Sequence, residues 1–353
     1  MDINSRTRKQ MKKSLSLSLS ILFNLIFAPV ALANPNCFLM QSNERLTNHC
    51  LLESVQGKLV DEQTMQIVVS RLQREGYFGG LEKPSFNGAL FPDVYYSENI
   101  NGGNPNKKLV LGNLEFDGDP NLIAKEGLMI GLNASASGRQ TIGIGRYLDG
   151  NANFSYGFSP EHNLSIDSAN LSICSKNRLK DNVHADLCVS SSKMDKQITT
   201  DSTKSIKASV SKLSFVDFGA FNEGRLSILR LDTEDYSQNQ LEASIEAIHR
   251  DNLATSFRLK LGQGLTDQLA LKYGFGISIT TILTGRKYMF GLTHEYSDGG
   301  KLFGVNRSDR STNVSVSTSL DTSTMLSVGY WERDSSINYF DQGYPTIRLT
   351  RSF

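Results

Sequence analysis

The chain has 353 residues, of which 39% are hydrophobic and 21% are charged, and no internal stretch of eighteen apolar residues occurs. A helical multi-pass membrane protein is therefore excluded. The formal charge of +1 turns to −3 when the basic residues 1–33 are set aside, which argues against a nucleic-acid partner.

The first 33 residues have the three parts of a secretory signal peptide. Basic residues occupy the first thirteen positions, a mostly apolar stretch covers residues 14–30, and an Ala-Leu-Ala sequence ending at Ala33 supplies the cleavage pattern. An uncleaved membrane anchor is the alternative, which the cleavage pattern and Pro35 disfavour. The pattern predicts an exported chain that starts at residue 34, in a compartment that permits disulfides.

Residues 34–88 are predicted to form a short periplasmic head with helical character. A weak helix is expected over about residues 43–55, and a second helix begins after a capping Asp61 and ends at Glu75, before Gly76. The second helix has an apolar face that we expect to be buried, either on a rim or inside a lumen as a plug. That face consists of Met65, Val68, Val69 and Leu72.

Four cysteines follow the cleavage site: Cys37, Cys50, Cys174 and Cys188. Three pairings are possible, and the local one, Cys37 with Cys50 and Cys174 with Cys188, is favoured because each bond closes a short loop. His49 and His184 stand near cysteines, but no spacing is typical of a metal site. We therefore predict two disulfides and no metal.

From about Ala89 to the end, apolar side chains alternate with small or polar ones. The clearest alternation has Leu269, Leu271, Tyr273, Phe275, Ile277 and Ile279 on one face. Turn sequences separate such segments, and about sixteen candidate strands can be counted, with twelve or fourteen also compatible. No helix is expected between them.

Two architectures fit these strands, a soluble sandwich and a transmembrane barrel. A sandwich presents Lys, Glu and Thr to water, whereas here one face is Gly, Ser and Ala mixed with charges and the other carries aromatic residues near segment ends. That composition favours an all-β fold, a transmembrane antiparallel β-barrel at residues 89–353, in contact with outer-membrane lipids. The terminal strand ends in Phe353, which we interpret as the signal for the outer-membrane barrel assembly machinery.

Charged residues on two neighbouring segments are predicted to face the lumen. Glu242 and Glu246 alternate with apolar residues on one segment, and Arg258 and Lys260 do so on the next. We expect these charges to pair across one ladder. A Ca²⁺ site or an acid–base pair at the two glutamates is the alternative, but no Gly-x-Ser-x-Gly motif or histidine cluster accompanies it. The sequence predicts no catalytic residue and no cofactor.

Counting strands back from a periplasmic C-terminus places residues 175–187 at the outer face.

Two stretches resemble the surface lipoprotein assembly modifier family. Residues 89–104, ALFPDVYYSENINGGN, are similar to its first barrel strand and following loop, and residues 329–341, GYWERDSSINYFD, are similar to its last hairpin. The resemblance implies a barrel of about fourteen strands that helps move lipoproteins to the cell surface. Family members also carry a larger domain of helix pairs, which the short head of this chain does not match.

Three functions follow from this reading. The first is assembly or translocation of exported surface proteins, with a lipoprotein client as partner. The second is a passive, porin-like channel, and the third is a structural surface barrel. Because few connections between strands exceed ten residues, adhesion through long surface loops is disfavoured.

Overall fold

The computed structural model describes residues 37–40, 43–56, 62–75, 84–111, 113–180, 182–216, 220–249, 252–321 and 324–351. The predicted signal peptide at residues 1–33 lies outside the described residues. The same holds for Asp61, Gly76 and Phe353.

The head contains a 3-10 helix at Cys37–Met40 and two α-helices, α1 at Glu44–Gln56 and α2 at Glu62–Arg74. Both helices occur where the sequence predicts them. Glu62 lies in the first turn of α2 and Arg71 and Arg74 in its last, which places charges favourably on the helix dipole. None of the helices in the described residues has the length and apolar character to cross a membrane.

Sixteen strands follow in the described part of the chain. Their bounds are β1 Ser85–Ser97, β2 Lys108–Leu111, β3 Leu114–Asp117, β4 Gly127–Gly143, β5 Arg146–Ser159, β6 Leu164–Lys180, β7 Val183–Asp195, β8 Thr200–Val216, β9 Ala220–Thr233, β10 Ser237–His249, β11 Leu253–Gly262, β12 Ala270–Leu283, β13 Arg286–Leu302, β14 Val305–Ser319, β15 Thr324–Ser335 and β16 Gln342–Arg351.

Fourteen of these strands in the described residues, β1 and β4 to β16, close into one antiparallel barrel. Each barrel strand pairs with its neighbour along the chain, and β16 returns to β1. The predicted transmembrane-type barrel of about fourteen strands is therefore confirmed as a fold. The first barrel strand begins at Ser85, four residues before the predicted start, because Ser85 to Gly88 already pair with β4.

The barrel closes through a short seam. In the described residues β1 pairs with β4 from Ser85 to Ser97, but with β16 only from Asp93 to Tyr95. Pro92 stands just before the paired part and has no N–H to donate to a ladder. On the lumen side, Arg348 donates hydrogen bonds to Asp93 across the seam.

The face assignment also needs one correction. The apolar face of β12 was predicted to start at Leu269, but the strand begins at Ala270 and its register against β13 shifts between Leu271 and Tyr273. A bulge of this kind moves the preceding residues out of the alternation. Leu269 therefore lies outside the strand, and the register of β12 with β13 is continuous only from Tyr273 onward.

The two disulfides join Cys37 to Cys50 and Cys174 to Cys188, which is the predicted local pairing. Cys174 and Cys188 are opposite each other in the ladder between β6 and β7, so the bond crosses two paired strands.

The predicted outer location of residues 175–187 is wrong. Ten strands, β7 to β16, run from Val183 to the end of the described chain, so the β6–β7 connection lies at the same barrel end as Arg351 and the head. Consistent with this placement, Asn182 accepts a backbone hydrogen bond from Leu213, which packs against the head. The strand count from the sequence placed the β6–β7 connection at the wrong end of the barrel, because an error of one strand in the count moves a connection to the opposite end.

The connection between β1 and β4, residues 98–126, lies at the opposite end of the barrel from the head and contains the β2–β3 hairpin. Its backbone accepts a hydrogen bond from Ile198 at Asn101, 2.8 Å. The Asn106 amide donates to three backbone carbonyls of the β15–β16 connection, at 2.7–3.0 Å. This segment therefore ties together connections from two different parts of the barrel rim.

Candidate functional site

The barrel wall has two chemically different faces. On β10, Leu241 and Ile245 are exposed on the outside, whereas Glu242 and Ser244 between them are buried on the inside. The same alternation holds on the other long strands, because successive side chains of a strand point to opposite faces. Outward-facing apolar residues include Leu90, Leu128, Ile130, Leu132, Phe154, Tyr156, Leu171, Ile173, Leu187, Val189, Ile206, Val210, Leu226, Ile228, Phe257, Leu259, Leu261, Ile277, Val314, Val316, Val328, Tyr330, Ile347 and Leu349.

The four predicted lumen charges lie on the inner face. One predicted pair across the ladder, Glu242 with Arg258, forms, whereas Lys260 and Glu246 have other partners. Glu242 accepts a hydrogen bond from Lys207 at 2.9 Å and lies 3.7 Å from Arg258. Lys260 stands opposite Glu242 in the ladder, yet its ammonium group bonds Glu295 at 2.9 Å.

The reason for the second pairing is the strand between Lys260 and Glu295. Gly274 of β12 is the ladder partner of both residues, so no side chain separates the ammonium group from the carboxylate. Glu246, the fourth predicted residue, accepts a hydrogen bond from Asn43 of the head instead of pairing with a barrel cation. The charges thus form links between strands from β8 to β13, and one of them links the wall to the head. Pairing only neighbouring strands does not predict these longer links.

The head packs into the mouth of the barrel through an apolar cluster. Residues of the 3-10 helix, α1 and α2 contact the head-side ends of β8 to β11. The cluster consists of Cys37, Leu39, Met40, Leu46, Cys50, Leu51, Val68 and Leu72 from the head and Leu213, Phe221, Ile248 and Ala254 from the wall. Burying such side chains stabilises the docked head by roughly 1.5–3 kcal/mol for each large one.

The predicted apolar face of α2 is only half buried. Val68 and Leu72 join the cluster, but Met65 and Val69 keep 45% and 40% of their surface exposed. The buried pair and the exposed pair are each spaced by four residues and therefore form two adjacent stripes on the helix. Only one stripe faces α1 and the barrel.

Polar contacts fix the orientation of the docked head. Arg45 forms a two-pronged pair with Asp186 of β7, with nitrogen–oxygen distances of 2.8 and 2.6 Å, and both side chains are less than a tenth exposed. Asn43 donates to Glu223 of β9 at 2.5 Å. Glu44 accepts a hydrogen bond from Arg139 of β4 at 2.7 Å. Because Asn43 also donates to Glu246 of β10, three consecutive residues at the entrance to α1 reach four different strands.

A titratable group lies at the end of α2. Glu75 is 2% exposed and accepts a hydrogen bond from Asn48 of α1. Burial raises the pKa of Glu75 to about 7, and the charge of Glu44 adds to the rise. His49, also in α1, packs edge-on against Phe221 at 5.9 Å between ring centres, and burial lowers its pKa.

A cavity of about 660 Å³ lies between the head and the inner wall. Its lining contains seven basic side chains, Arg45, Arg71, Arg74, Arg139, Lys176, Arg225 and Arg258, and four carboxylates, Glu44, Asp149, Asp186 and Glu246. The head supplies three of the cations but one carboxylate. The cavity is therefore cationic mainly because the head occupies the mouth.

The lumen wall is uneven around its circumference. The inner face of β4 to β10, which we call the charged wall, includes Arg139, Asp149, Lys176, Asp186, Lys207, Glu223, Arg225 and Glu242. The inner face of β12 to β15 at mid-height, which we call the small-residue wall, includes Gly274, Gly276, Ser278, Gly291, Ser315, Ser317, Ser327 and Gly329.

A second cavity, of about 220 Å³, is lined by the first residues of the small-residue wall together with Lys260 and Glu295. Arg258 on β11 lines both cavities. Its side chain thus stands between the cationic cavity beside the head and the space along the small-residue wall.

No group of histidine, cysteine and acidic side chains within the described residues has the arrangement of a metal site. His249 and His294 have threonine hydroxyls as hydrogen-bond partners, Thr255 at 2.8 Å and Thr312 at 2.9 Å. The lumen, with its docked head, is therefore the candidate functional site.

Sequence reasoning missed the charges that the head presents to the lumen. No role was assigned to Asn43, to Glu44 and Arg45 in the first turn of α1, or to Arg71 and Arg74 in the last turn of α2. A run of three polar residues before an apolar helix was the available signal, but it is common on solvated helix ends.

No family model matches this chain, and no curated protein matches it either. One similar solved structure is the outer-membrane channel DcaP of Acinetobacter baumannii, with 10% identity and a TM-score of 0.43, which covers 76% of this chain and 97% of that one. A second is OprB of Pseudomonas putida, with 6% identity and a TM-score of 0.45, which covers 80% of this chain and 96% of that one. A third is OccAB2 of Acinetobacter baumannii, with 9% identity and a TM-score of 0.41, which covers 77% of this chain and 98% of that one. At these values the likeness goes no further than a barrel fold.

Proposed function

We propose that this chain is an outer-membrane channel through which small polar solutes pass a lumen narrowed by the docked head. The observation that carries the proposal is a closed barrel with an apolar outer face and a polar inner face that encloses cavities of about 660 and 220 Å³. A barrel of fourteen strands is wide enough to hold two helices and water, whereas eight strands are filled by their own side chains.

The outer face supports a location in a bilayer. Its exposed residues are Leu, Ile, Val and aromatic side chains on strand after strand, and the ladder closes upon itself. Lipid offers no hydrogen bonds to a free sheet edge, so a closed barrel is the form in which strands cross a membrane. With the export signal that the sequence predicts at residues 1–33, the outer membrane is the compartment that fits.

The wall suggests the route of the solute. The head contacts the ends of β8 to β11 and the inner face of β4, β7 and β9. The small-residue wall on the other side has glycine and serine where the charged wall has long side chains. A solute therefore passes along β12 to β15, with Arg258 between that route and the cationic cavity.

Channel recordings test the proposal. Purified protein added to a planar lipid bilayer is expected to produce stepwise conductance. Asp186→Ala, which removes the partner of Arg45, is expected to raise the mean conductance or the frequency of large openings, because the head is then held less firmly. Folded protein, shown by faster migration on an unboiled gel, that gives no conductance in either form would contradict the proposal.

The assembly signal is a separate prediction with its own test. We expect deletion of Phe353 to lower the yield of folded barrel in the outer membrane, because the assembly machinery reads the last strand. Comparison of boiled and unboiled samples from membrane fractions measures this yield. An unchanged yield would count against the terminal-strand hypothesis.

A role in surface lipoprotein assembly is the second candidate. It is favoured by the two stretches that resemble that family, whose loops are neighbours at the end opposite the head, where Asn106 bonds the backbone of Asn338, Tyr339 and Asp341. The test is deletion of the gene followed by protease shaving of intact cells. Loss of a lipoprotein from the surface while its total amount is unchanged supports this role, and an unchanged surface set argues against it.

A further inference from the structure

We propose that the cavity beside the head is a binding site for the oxyanion of a small solute, a carboxylate or a phosphate, and that Arg71 and Arg74 are the residues that bind it. The inference rests on the proposed channel function and names the class of solute that the lumen favours. It rests on which charged side chains around the cavity have ion-pair partners, first on the barrel wall and then on the head.

Each cation of the barrel wall that lines the cavity already has a carboxylate partner. Arg139 and Lys176 both bond Asp149, at 3.1 and 2.9 Å, and Arg225 bonds Glu223 at 2.8 Å. The remaining wall cation, Arg258, lies 3.7 Å from Glu242, which also holds Lys207. These wall groups form a network of alternating charge.

The head adds charge that the wall does not balance. Arg45 is paired with Asp186, but in the described part of the chain neither Arg71 nor Arg74 forms an ion pair. Arg71 is placed over the ring of Phe38, 5.4 Å from its centre, a contact that leaves the edge of the guanidinium group available. Both arginines lie three residues apart on α2, on one side of the helix, and line the same cavity.

An unsatisfied donor marks the same place. The Nε atom of Arg74 is buried and has no hydrogen-bond partner among the described residues. A buried charged donor without a partner is costly, and a shift of the Arg74 side chain toward a bound oxyanion would supply the missing acceptor. Nearby polar groups that line the cavity, Asn87, Asn151 and Ser137, offer hydrogen bonds to the rest of a small polar molecule.

The size of the cavity restricts the ligand. A volume of about 660 Å³ lies within the range of small-molecule sites and is far too small for a folded client. Guanidinium groups bind carboxylate and phosphate through paired hydrogen bonds, so the shared oxyanion is the recognised chemistry. Basic residues in the last turn of a helix also interact favourably with the helix dipole. A purely structural role of Arg71 and Arg74 is therefore the alternative that the experiment has to exclude.

The experiment is calorimetric titration of the purified full chain in detergent with succinate and, separately, with inorganic phosphate. We expect binding of at least one of them, and about tenfold or greater weakening in the double variant Arg71→Gln/Arg74→Gln, because two charged hydrogen-bond donors are lost. Arg230→Gln, at an exposed position on the outer face of β9, is the matched control and is expected to leave binding unchanged. Arg71→Lys/Arg74→Lys, which keeps the charge, is expected to bind between the two.

Binding of succinate but not phosphate assigns the site to carboxylates, and the reverse assigns it to phosphates. Absence of binding of both, or equal binding by the double variant that still migrates as a folded barrel, overturns the inference. Because the titration does not depend on ion flow, a protein that conducts without binding refutes only this site, whereas a protein that binds without conducting refutes the channel. In a bilayer with a salt gradient, the wild-type channel is expected to show a reversal potential that indicates preference for chloride. The double variant is expected to lose this preference.

Discussion

The charged wall and the small-residue wall belong to the same closed sheet but have different tasks. On β4 to β10, Arg139, Asp186 and Glu223 reach inward and hold the head. On β12 to β15, Gly276, Ser315 and similar residues leave the lumen open. The difference teaches that one side of the barrel holds the head, while the other side carries the small residues along which we propose the route past it.

The largest effect tests whether the two walls face inward at all. Leu259→Arg places a charge on the outer face of β11 and is expected to abolish or strongly reduce barrel assembly, since an arginine at mid-bilayer costs about 2–4 kcal/mol. Arg258→Ser, one residue away on the inner face, is expected to assemble normally and to change only conductance. Heat-modifiable migration of membrane fractions measures both. If Leu259→Arg assembles and Arg258→Ser does not, the facing is reversed.

The next prediction concerns the hold of the charged wall on the head. Asp186→Ala leaves the guanidinium group of Arg45 buried without its partner, and such a loss costs about 3–5 kcal/mol. We expect the head helices to become accessible to limited proteolysis while the barrel stays folded. Asp298→Ala, which removes the partner of Lys272 in an exposed pair, is the control and is expected to have little effect. Equal protection in both variants would show that the ion pair does not hold the head.

Docking of the head is expected to depend on pH through Glu75. The pKa of Glu75 is about 7 in the docked head, against the ordinary 4.5. Between pH 4.5 and pH 7 the docked head therefore keeps the Glu75 carboxyl protonated, whereas a solvated Glu75 is ionised. The contribution of Glu75 to docking is therefore complete below pH 4.5 and is lost as pH rises through 7, by about 3 kcal/mol at most. Arg45 and Arg139 face the same carboxyl and oppose the rise in its pKa. Glu75→Gln is expected to remove this dependence.

Protease protection of the head at pH 5 and pH 8 measures the effect of Glu75. His49 contributes in the opposite direction, because its lowered pKa makes protonation below about pH 6.5 unfavourable for the docked head. This second dependence is expected to persist in Glu75→Gln. If protection changes between pH 5 and pH 8 by the same amount in Glu75→Gln as in the wild type, the assignment to Glu75 is contradicted.

The smallest effect tests the route along the small-residue wall. Gly276→Phe places a ring in the lumen, where an added Cβ would meet only the Thr293 methyl group at 3.5 Å and the Leu292 carbonyl at 3.9 Å. We expect a folded barrel with lower single-channel conductance. Gly224→Phe is the control, because Gly224 lies on the outer face of β9 with nothing within 4 Å of an added Cβ. The same conductance in both variants would mean that solute does not pass along β12 to β15.

Much of this molecule could be predicted from the sequence, because the relevant forces act over short distances. Alternation with a period of two decides which side chains of a strand share a face, so the faces of Leu241 and Glu242 follow from sequence. The same holds for the two helices and the local disulfides, whose partners are 13 and 14 residues apart.

Only the tertiary structure decided how distant groups meet. The ladder places Lys260 opposite Glu242, yet the Lys260 side chain bonds Glu295 on β13. It can do so because Gly274, on the strand between them, has no side chain to block the contact. The end at which the β6–β7 connection lies depends on the parity of a strand count, and local pattern does not fix that parity.

The docked head is the clearest case of this division. The sequence marks an amphipathic helix with an apolar stripe, but it does not specify a partner for that stripe or for the polar residues at the helix ends. Arg45 finds Asp186 across 141 positions, and Asn43 finds Glu223 across 180, because the barrel brings β7 and β9 around the mouth that the head enters. Hydrophobic pattern is a property of each segment, whereas the charge of the cavity beside Arg71 and Arg74 arises only when the head and the closed wall are together.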